Sequence, residues 1–250
     1  MADKLLKLKK FEIVVVIDDS GSMDTRIKGK RCSRWDELRE IVKTVVEIAI
    51  IFDTNGVDVH FLNSPEILKV KDARTIDRIF ERTPCGFTPT VSTLTKIFKS
   101  NLAKEGRDKN LLVFVATDGE PTDDDGNDDF VRFEKVMKET RNQETTFVSF
   151  LLCTDVPKYA DLFQHYDASM KNVDVVDDYE TEKAQVRRRM GPNYPFEHGD
   201  YVVKALVGSI LTDLDKIDDP LFSKRIYSKM SSNSRVKTAV THAIYCLHHS

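Results

Sequence analysis

The chain has 250 residues, of which 40% are hydrophobic and 32% are charged, and its 38 basic and 41 acidic side chains give a formal net charge of -3. This composition is typical of a globular chain long enough to bury a sizeable core. The near balance of charge argues against a partner recognised by bulk charge, such as nucleic acid or a membrane surface.

The sequence shows no targeting or membrane signal. The first ten residues alternate lysine with leucine, and no segment reaches the roughly 18 apolar residues of a spanning helix. The cysteines are widely separated and lack zinc-binding spacing: Cys32, Cys85, Cys153 and Cys246. Four cysteines in so long a chain do not resemble a disulfide framework, so we expect free thiols and a cytoplasmic location.

Apolar patterns predict alternating strands and helices along the chain. Apolar runs predict strands over 12–17, 57–62, 67–70, 111–117, 146–153 and 173–176, the third being a short edge strand. Helical periodicity predicts helices over 35–52, 72–82, 91–102, 129–139, 156–166, 180–189 and 201–211. This alternation predicts right-handed parallel crossovers and a doubly wound α/β sheet, with the first and fourth strands side by side.

The first strand ends in an oxygen-rich loop. The apolar run 14–17 is followed by Asp18, Ser20 and Ser22, with Gly21 between the two serines. Ligands of open α/β sheets bind beyond the carboxyl ends of the strands. A carboxylate and two hydroxyls suit a hard cation, and Gly21 allows the sharp turn that brings the hydroxyls together. The alternative is an ordinary strand-to-helix turn with a capping Asp or Ser.

Three residues cannot fill a shell of about six oxygens, so other loops must contribute. One candidate is Thr88, which lies between Phe87 and Pro89. The other is Asp118, which is followed by Gly119 and comes directly after the apolar strand 111–117. The candidate metal ligands are therefore Asp18, Ser20, Ser22, Thr88 and Asp118.

The combination of Asp18-x-Ser20-x-Ser22, Thr88 in a Gly-x-Thr-Pro setting and Asp118-Gly119 resembles the von Willebrand factor A (vWA) domain family and its metal-ion-dependent adhesion site. The closing segment resembles that of intracellular fungal and protist members. The resemblance covers residues 11–219 and implies a mainly parallel, Rossmann-like six-stranded sheet with one antiparallel edge strand. It also implies that the serines and the threonine bind the cation directly or nearly so, while the aspartates often act through water.

The resemblance implies a metal-dependent binding function without catalysis. We expect Mg²⁺ because the shell is small, oxygen-only and partly hydrated, with Mn²⁺ or Ca²⁺ as alternatives. Neutral hydroxyls leave the ion electron-poor, so it should capture an Asp or Glu of a protein partner, as in an intracellular scaffold or adaptor. A magnesium-dependent hydrolase and a purely structural metal remain alternatives. The hydrolase is disfavoured because Ser20 replaces the second aspartate of an Asp-x-Asp motif and no general base is visible.

Two charged segments flank the candidate site. A basic insertion follows the first loop and contains Arg26, Lys28, Lys30, Arg31 and Arg34. It either attracts an acidic partner or is a solvated loop without a special role. An acidic loop follows Asp118 and contains Glu120, Asp123, Asp124, Asp125, Asp128 and Asp129. Its spacing excludes an EF-hand, and we expect a solvated loop in which Asp128 or Asp129 caps the next helix.

The C-terminal part divides in two. The helix predicted over 201–211 is expected to pack on the sheet as the final helix of the domain. Residues 220–250 form a basic extension without an acidic residue, with Lys224, Arg225, Lys229, Arg235 and Lys237. We expect a loosely ordered extension, with a basic arm for a partner or nucleic acid as the alternative.

Overall fold

The computed structural model describes residues 2–104, 108–154 and 156–211. These residues form a six-stranded sheet with strand order β3-β2-β1-β4-β5-β6. The strands are β1 (Phe11–Ile17), β2 (Val57–Phe61), β3 (Ile67–Val70), β4 (Asn110–Thr117), β5 (Thr146–Leu152) and β6 (Val173–Val176). The edge strand β3 pairs antiparallel with β2, and the other pairings are parallel. The predicted fold class is therefore confirmed.

Helices cover both faces of this sheet. They are α1 (Ala2–Leu5), α2 (Arg34–Phe52), α3 (Arg74–Asp77), α4 (Thr90–Phe98), α5 (Phe130–Lys135), α6 (Pro157–Ser169), α7 (Tyr179–Met190) and α8 (His198–Val207). Within the described ranges, no helix has the length and apolar character needed to cross a membrane. The predicted domain end at 219, the extension 220–250 and Cys246 lie outside the described residues.

The central strand β1 is buried on both faces, as its continuous apolar run predicts. Because successive side chains of a strand point to opposite faces, β1 contributes to two separate cores. Ile13, Val15 and Ile17 pack in the core that contains α2 and α8. Val14 and Val16 pack in the core that contains α4 and α6. This layering places β1 between the two helix layers, with β2 and β4 on either side of it.

Several helices differ from their predicted ranges. The helix predicted over 72–82 is regular only in α3, because most of its later backbone hydrogen bonds are of the tighter i+3 type, from Ile79 to Ile76 and from Arg82 to Ile79. The helix predicted over 91–102 ends at Phe98, since the Ser100 hydroxyl caps a new 3₁₀ turn. The segment predicted over 129–139 changes from α5 to a π-helical turn over Val136–Thr140.

The last two helices are joined by a buried ion pair. The Lys204 Nζ atom on α8 lies 2.6 Å from Glu182 Oε2 on α7, and both side chains are at most 6% exposed. The second carboxylate oxygen of Glu182 accepts a hydrogen bond from the backbone N–H of Asp177. Burial raises the pKa of Glu182, although the nearby Lys204 ammonium opposes that shift. The predicted final helix therefore packs into the core through a polar contact as well as an apolar one.

Removing the lysine of this pair should destabilise the protein strongly. Lys204→Met leaves the Glu182 carboxylate buried without its ammonium partner, and we expect the free energy of unfolding to fall by about 3 kcal/mol. Urea denaturation measures the loss. The double variant Lys204→Met/Glu182→Gln should regain part of it, because the glutamine still accepts from Asp177 and carries no charge.

The matched control is Lys138→Met, since Lys138 forms an exposed i,i+4 ion pair with Glu134. Exposed pairs of this kind contribute about 0.5 kcal/mol or less. If Lys138→Met and Lys204→Met lower the free energy of unfolding equally, the buried ion pair stabilises the protein no more than the exposed one.

Candidate metal centre

The candidate centre lies where β1 and β4 end side by side. Ile17 pairs with Ala116 in the parallel ladder, and the backbone N–H of Asp18 still donates to the Ala116 carbonyl at 2.9 Å. Asp18 and Asp118 therefore leave neighbouring strands at the same edge of the sheet. Their side chains are only 1% and 4% exposed.

The first loop arranges its oxygens in a continuous series of contacts. Asp18 Oδ1 accepts from the backbone N–H of Ser20 at 3.0 Å. The hydroxyls of Ser20 and Ser22 lie 3.0 Å apart, and the Ser22 hydroxyl donates to Asp118 Oδ1 at 3.0 Å. Ser20 is 1% exposed whereas Ser22 is exposed, so the cluster opens to solvent on the Ser22 side.

The second loop is held against the first by backbone hydrogen bonds. Gly21 N–H donates to the Gly86 carbonyl at 3.0 Å, and Cys85 N–H donates to the Asp19 carbonyl at 2.8 Å. Thr88 is buried beside them, and its backbone N–H donates to the Thr122 hydroxyl at 2.8 Å. Among the described residues, no hydrogen bond joins the Thr88 hydroxyl to the other four candidate ligands. The structure thus brings the Thr88 loop against the first loop, while the Thr88 side chain forms no hydrogen bond with those four residues.

Asp19 was missed by the sequence reasoning, and it connects three loops. Its carboxylate accepts from the Asn63 backbone N–H at 2.8 Å and from the Ser64 hydroxyl at 2.6 Å. The Asn63 amide donates in turn to the Phe87 carbonyl at 2.8 Å, next to Thr88. The only local signal for this role was its place beside Asp18, because its partners lie more than 40 residues away.

Thr117 is a second residue that the sequence reasoning did not single out. Its hydroxyl donates to Asp18 Oδ2 at 2.6 Å and accepts from the Gly119 N–H at 3.2 Å. As the last residue of β4, it connects the carboxylate of the first loop to the backbone of the third. Its position directly before Asp118 was visible in the sequence, and the predicted pairing of the first and fourth strands already placed Asp18 nearby. The hydrogen bond between Thr117 and Asp18 was not predicted.

The basic insertion contains one residue that turns inward. Arg34, the first residue of α2, is 8% exposed, and its guanidinium donates to Asp118 Oδ2 at 2.7 Å. The interpretation of the whole insertion as a solvated or partner-facing loop is therefore wrong for Arg34. The other four basic residues are exposed, although Lys30 lies 2.5 Å from Glu37.

The acidic loop is ordered by its own contacts. Asp123 Oδ1 accepts from the backbone N–H groups of Asp125 and Asn127 at 3.0 and 2.8 Å. Asp129 precedes α5 without a side-chain cap and instead forms an ion pair with Arg132 at 3.3 Å. The prediction that Asp128 or Asp129 caps this helix is therefore confirmed in position, since Asp129 is the N-cap residue, but not in a side-chain hydrogen bond.

The two central carboxylates make the cluster electrostatically unfavourable. Burial is the larger, and the nearby charge of Asp118 the smaller, of the two causes that raise the pKa of Asp18 to about 6. Hydrogen bonds from Ser20 and Thr117 oppose this shift. A hard divalent cation would relieve this repulsion, and two carboxylates with three hydroxyls are oxygen donors of the kind it prefers. The residues present therefore fit such an ion. Within the described ranges, no group of three or more His, Cys, Asp or Glu side chains is arranged for a metal.

The comparisons with known proteins do not place the chain in a family. Neither protein-family models nor curated proteins gave a match. Among solved structures, this chain is similar to the pilus adhesin SpaC from Lactobacillus rhamnosus GG in two crystal structures, one of them in the open conformation. The identities are 15% and 14% and the TM-scores 0.48 and 0.44, over 78% of this chain and 30% of SpaC.

A third similar structure is the manganese-loaded TRAP protein of Plasmodium vivax. It is 14% identical with a TM-score of 0.42, over 70% of this chain and 71% of that one. This chain spans less than a third of the length of SpaC. At such identities and scores these structures assign no role to any residue of this chain.

The loop that carries Thr88 should be sensitive to a side chain at Gly86. Gly86 has φ +97, and a Cβ there would lie 2.4 Å from Asn63 Oδ1. Gly86→Ala should force Asn63 away from its partners and destabilise the protein by about 1–2 kcal/mol more than Gly29→Ala. Gly29 is the matched control because it has φ +80 with no atom within 4 Å of an added Cβ.

Thermal and urea unfolding of both alanine variants measure this difference. In an Asn63→Ala background the extra loss of Gly86→Ala should disappear, since the obstructing amide is gone. If the two alanine substitutions have equal effects in the wild-type background, contact with Asn63 does not constrain the loop.

The raised pKa of Asp18 makes the stability of the metal-free protein depend on pH. The folded-state pKa is about 6 against a usual value of 3.8. Between pH 3.8 and about 6, the folded chain therefore holds a proton on Asp18 that the unfolded chain has lost. The contribution of Asp18 to the free energy of unfolding consequently falls as the pH rises through this range. We expect Asp18→Asn to be more stable than wild type at pH 7 by about 2–3 kcal/mol, and equally stable at pH 4. Urea unfolding in the presence of a chelator measures both values. A difference that does not change with pH would contradict this assignment.

Proposed function

We propose that the chain is a vWA-type binding module that holds a hard divalent cation between its three loops and captures an Asp or Glu of a protein partner. The observation that carries this proposal is the series of 3.0 Å contacts from Ser20 through Ser22 to Asp118, beside a second buried carboxylate. Mg²⁺ is the expected ion, with Mn²⁺ and Ca²⁺ as alternatives. An intracellular adaptor role belongs to the same proposal.

The candidate ligands would both hold the ion and leave it able to bind an outside carboxylate. Ser20, Ser22 and Thr88 would supply neutral hydroxyl oxygens, while Asp18 and Asp118 would supply charge directly or through water. When bound, the cation would act as a Lewis acid that accepts an outside carboxylate oxygen. The exposed Ser22 marks the side from which a partner would approach.

Burial and exposure at the site also bear on the two alternative functions, a purely structural metal and a magnesium-dependent hydrolase. A purely structural ion would be expected in a closed site, whereas this cluster opens to solvent. A hydrolase would need a carboxylate or base free to react. The Asp18 carboxylate is buried and accepts hydrogen bonds from Thr117 and Ser20, so it is poorly placed for attack on a substrate.

Ion binding tests the proposal directly. We expect calorimetry to show binding of Mg²⁺ and Mn²⁺ by the wild-type chain. Ser20→Ala and Thr88→Ala should each weaken it by about tenfold or more, because each removes one ligand oxygen. Ser92→Ala is the matched control, since Ser92 is an exposed serine of α4 whose hydroxyl donates to the Pro89 carbonyl. Circular dichroism confirms that each variant is folded.

Capture of a carboxylate tests the second half of the proposal. Acetate serves as the probe, and relaxation of its methyl protons by the Mn²⁺-loaded protein should report binding that a chelator abolishes. A wild-type chain that binds neither ion would overturn the metal site. Metal-dependent hydrolysis of p-nitrophenyl phosphate that disappears in Asp118→Ala would favour the hydrolase instead.

A further inference from the structure

Arg34 contacts the candidate centre through the carboxylate oxygen of Asp118 that does not accept from the Ser22 hydroxyl. Its guanidinium donates to Asp118 Oδ2 at 2.7 Å, while Asp118 Oδ1 accepts from the Ser22 hydroxyl at 3.0 Å. The two side chains of the ion pair are 10% and 4% exposed, so solvent screens their attraction little. One oxygen of the Asp118 carboxylate therefore contacts a positive charge, and the other contacts the hydroxyl cluster of Ser20 and Ser22.

We infer that Arg34 tunes the centre by sharing the charge of Asp118 with the bound cation. The shared charge weakens the hold of the protein on the ion. It also leaves more of the positive charge of the ion unneutralised, which strengthens its attraction for an outside carboxylate. This inference rests on the proposed function and assigns a residue outside the five ligands to the balance between ion affinity and partner affinity.

The charge on Arg34 is permanent, and the backbone around Arg34 fixes its position. A guanidinium remains protonated at any physiological pH, unlike an imidazole. The residue begins α2, where Ser33 and Asp36 form a capping box, and its backbone N–H donates to the Thr25 carbonyl at 3.0 Å. The start of the helix therefore holds the guanidinium at the third loop.

The exposed basic residues of the insertion cannot replace Arg34. Arg26, Lys28 and Arg31 are exposed, so water and salt screen their charges from the buried carboxylates. Their effect is confined to attraction of a partner over distance. Only a charge in contact with Asp118 changes how much of that carboxylate remains for the ion.

Removal of the guanidinium should shift the two affinities in opposite directions. Arg34→Met should bind Mg²⁺ and Mn²⁺ roughly tenfold more tightly, because Asp118 then gives its full charge to the ion. Acetate should bind the Mn²⁺-saturated variant about threefold more weakly, because the ion retains less positive charge. Arg34→Lys keeps the charge and should stay close to wild type in both measurements.

Arg39→Met is the matched control, since Arg39 also lies on α2 but pairs with Asp77 at 3.2 Å and is partly exposed. Both affinities should be unchanged. Arg34→Gln, a second neutral variant that retains polar atoms, should behave like Arg34→Met, and circular dichroism with added ion confirms the fold. Opposite shifts cannot arise from a merely structural role, which would weaken both affinities together.

Equal ion affinity in the wild type and both neutral variants would overturn the inference while leaving the proposed function intact. A loss of both affinities in the neutral variants would also overturn it, because Arg34 would then only hold Asp118 in place. Absence of ion binding in the wild type together with binding in Arg34→Met would contradict the proposed function and support the charge sharing.

Discussion

The parallel pairing of β1 with β4 is the constraint on which the rest of the structure depends. It places two loops with carboxylates at one edge of a sheet that helices cover on both faces. Asp18 and Asp118 are consequently buried close to each other, and burial together with their mutual repulsion raises the pKa of Asp18 to about 6. Such an arrangement is unfavourable for folding unless other groups compensate for it.

The surrounding residues supply that compensation in two forms. Thr117 and the Ser20 backbone donate hydrogen bonds to Asp18, and Arg34 supplies a positive charge to Asp118. Neither form removes the remaining repulsion between the carboxylates, which a divalent cation would relieve. The same repulsion that lowers the stability of the metal-free chain would therefore favour the binding of a divalent cation.

More distant contacts connect the segments near the carboxyl edge of the sheet and the helices packed on it. Asp19 ties the first loop to Asn63 and, through its amide, to the loop that carries Thr88. On the other side of the core, the buried pair of Glu182 and Lys204 fixes α8 against α7. The two networks join residues 44 and 22 positions apart in sequence, so each connects separate elements of the fold.

The sequence by itself determined the order of strands and helices, because apolar periodicity reflects burial directly. The continuous apolar runs of β1 and β4 identified central strands, and the oxygen-rich residues after them identified the candidate loops. Helix ends were less well predicted: Ser100 starts a new turn and α3 is short, and such local competition leaves little trace in periodicity. Only the tertiary structure decided that Arg34 turns inward to Asp118 and that Asp19 joins three loops. Those contacts join residues 84 and more than 40 positions apart, and no local pattern of charge encodes which carboxylate a distant side chain will meet.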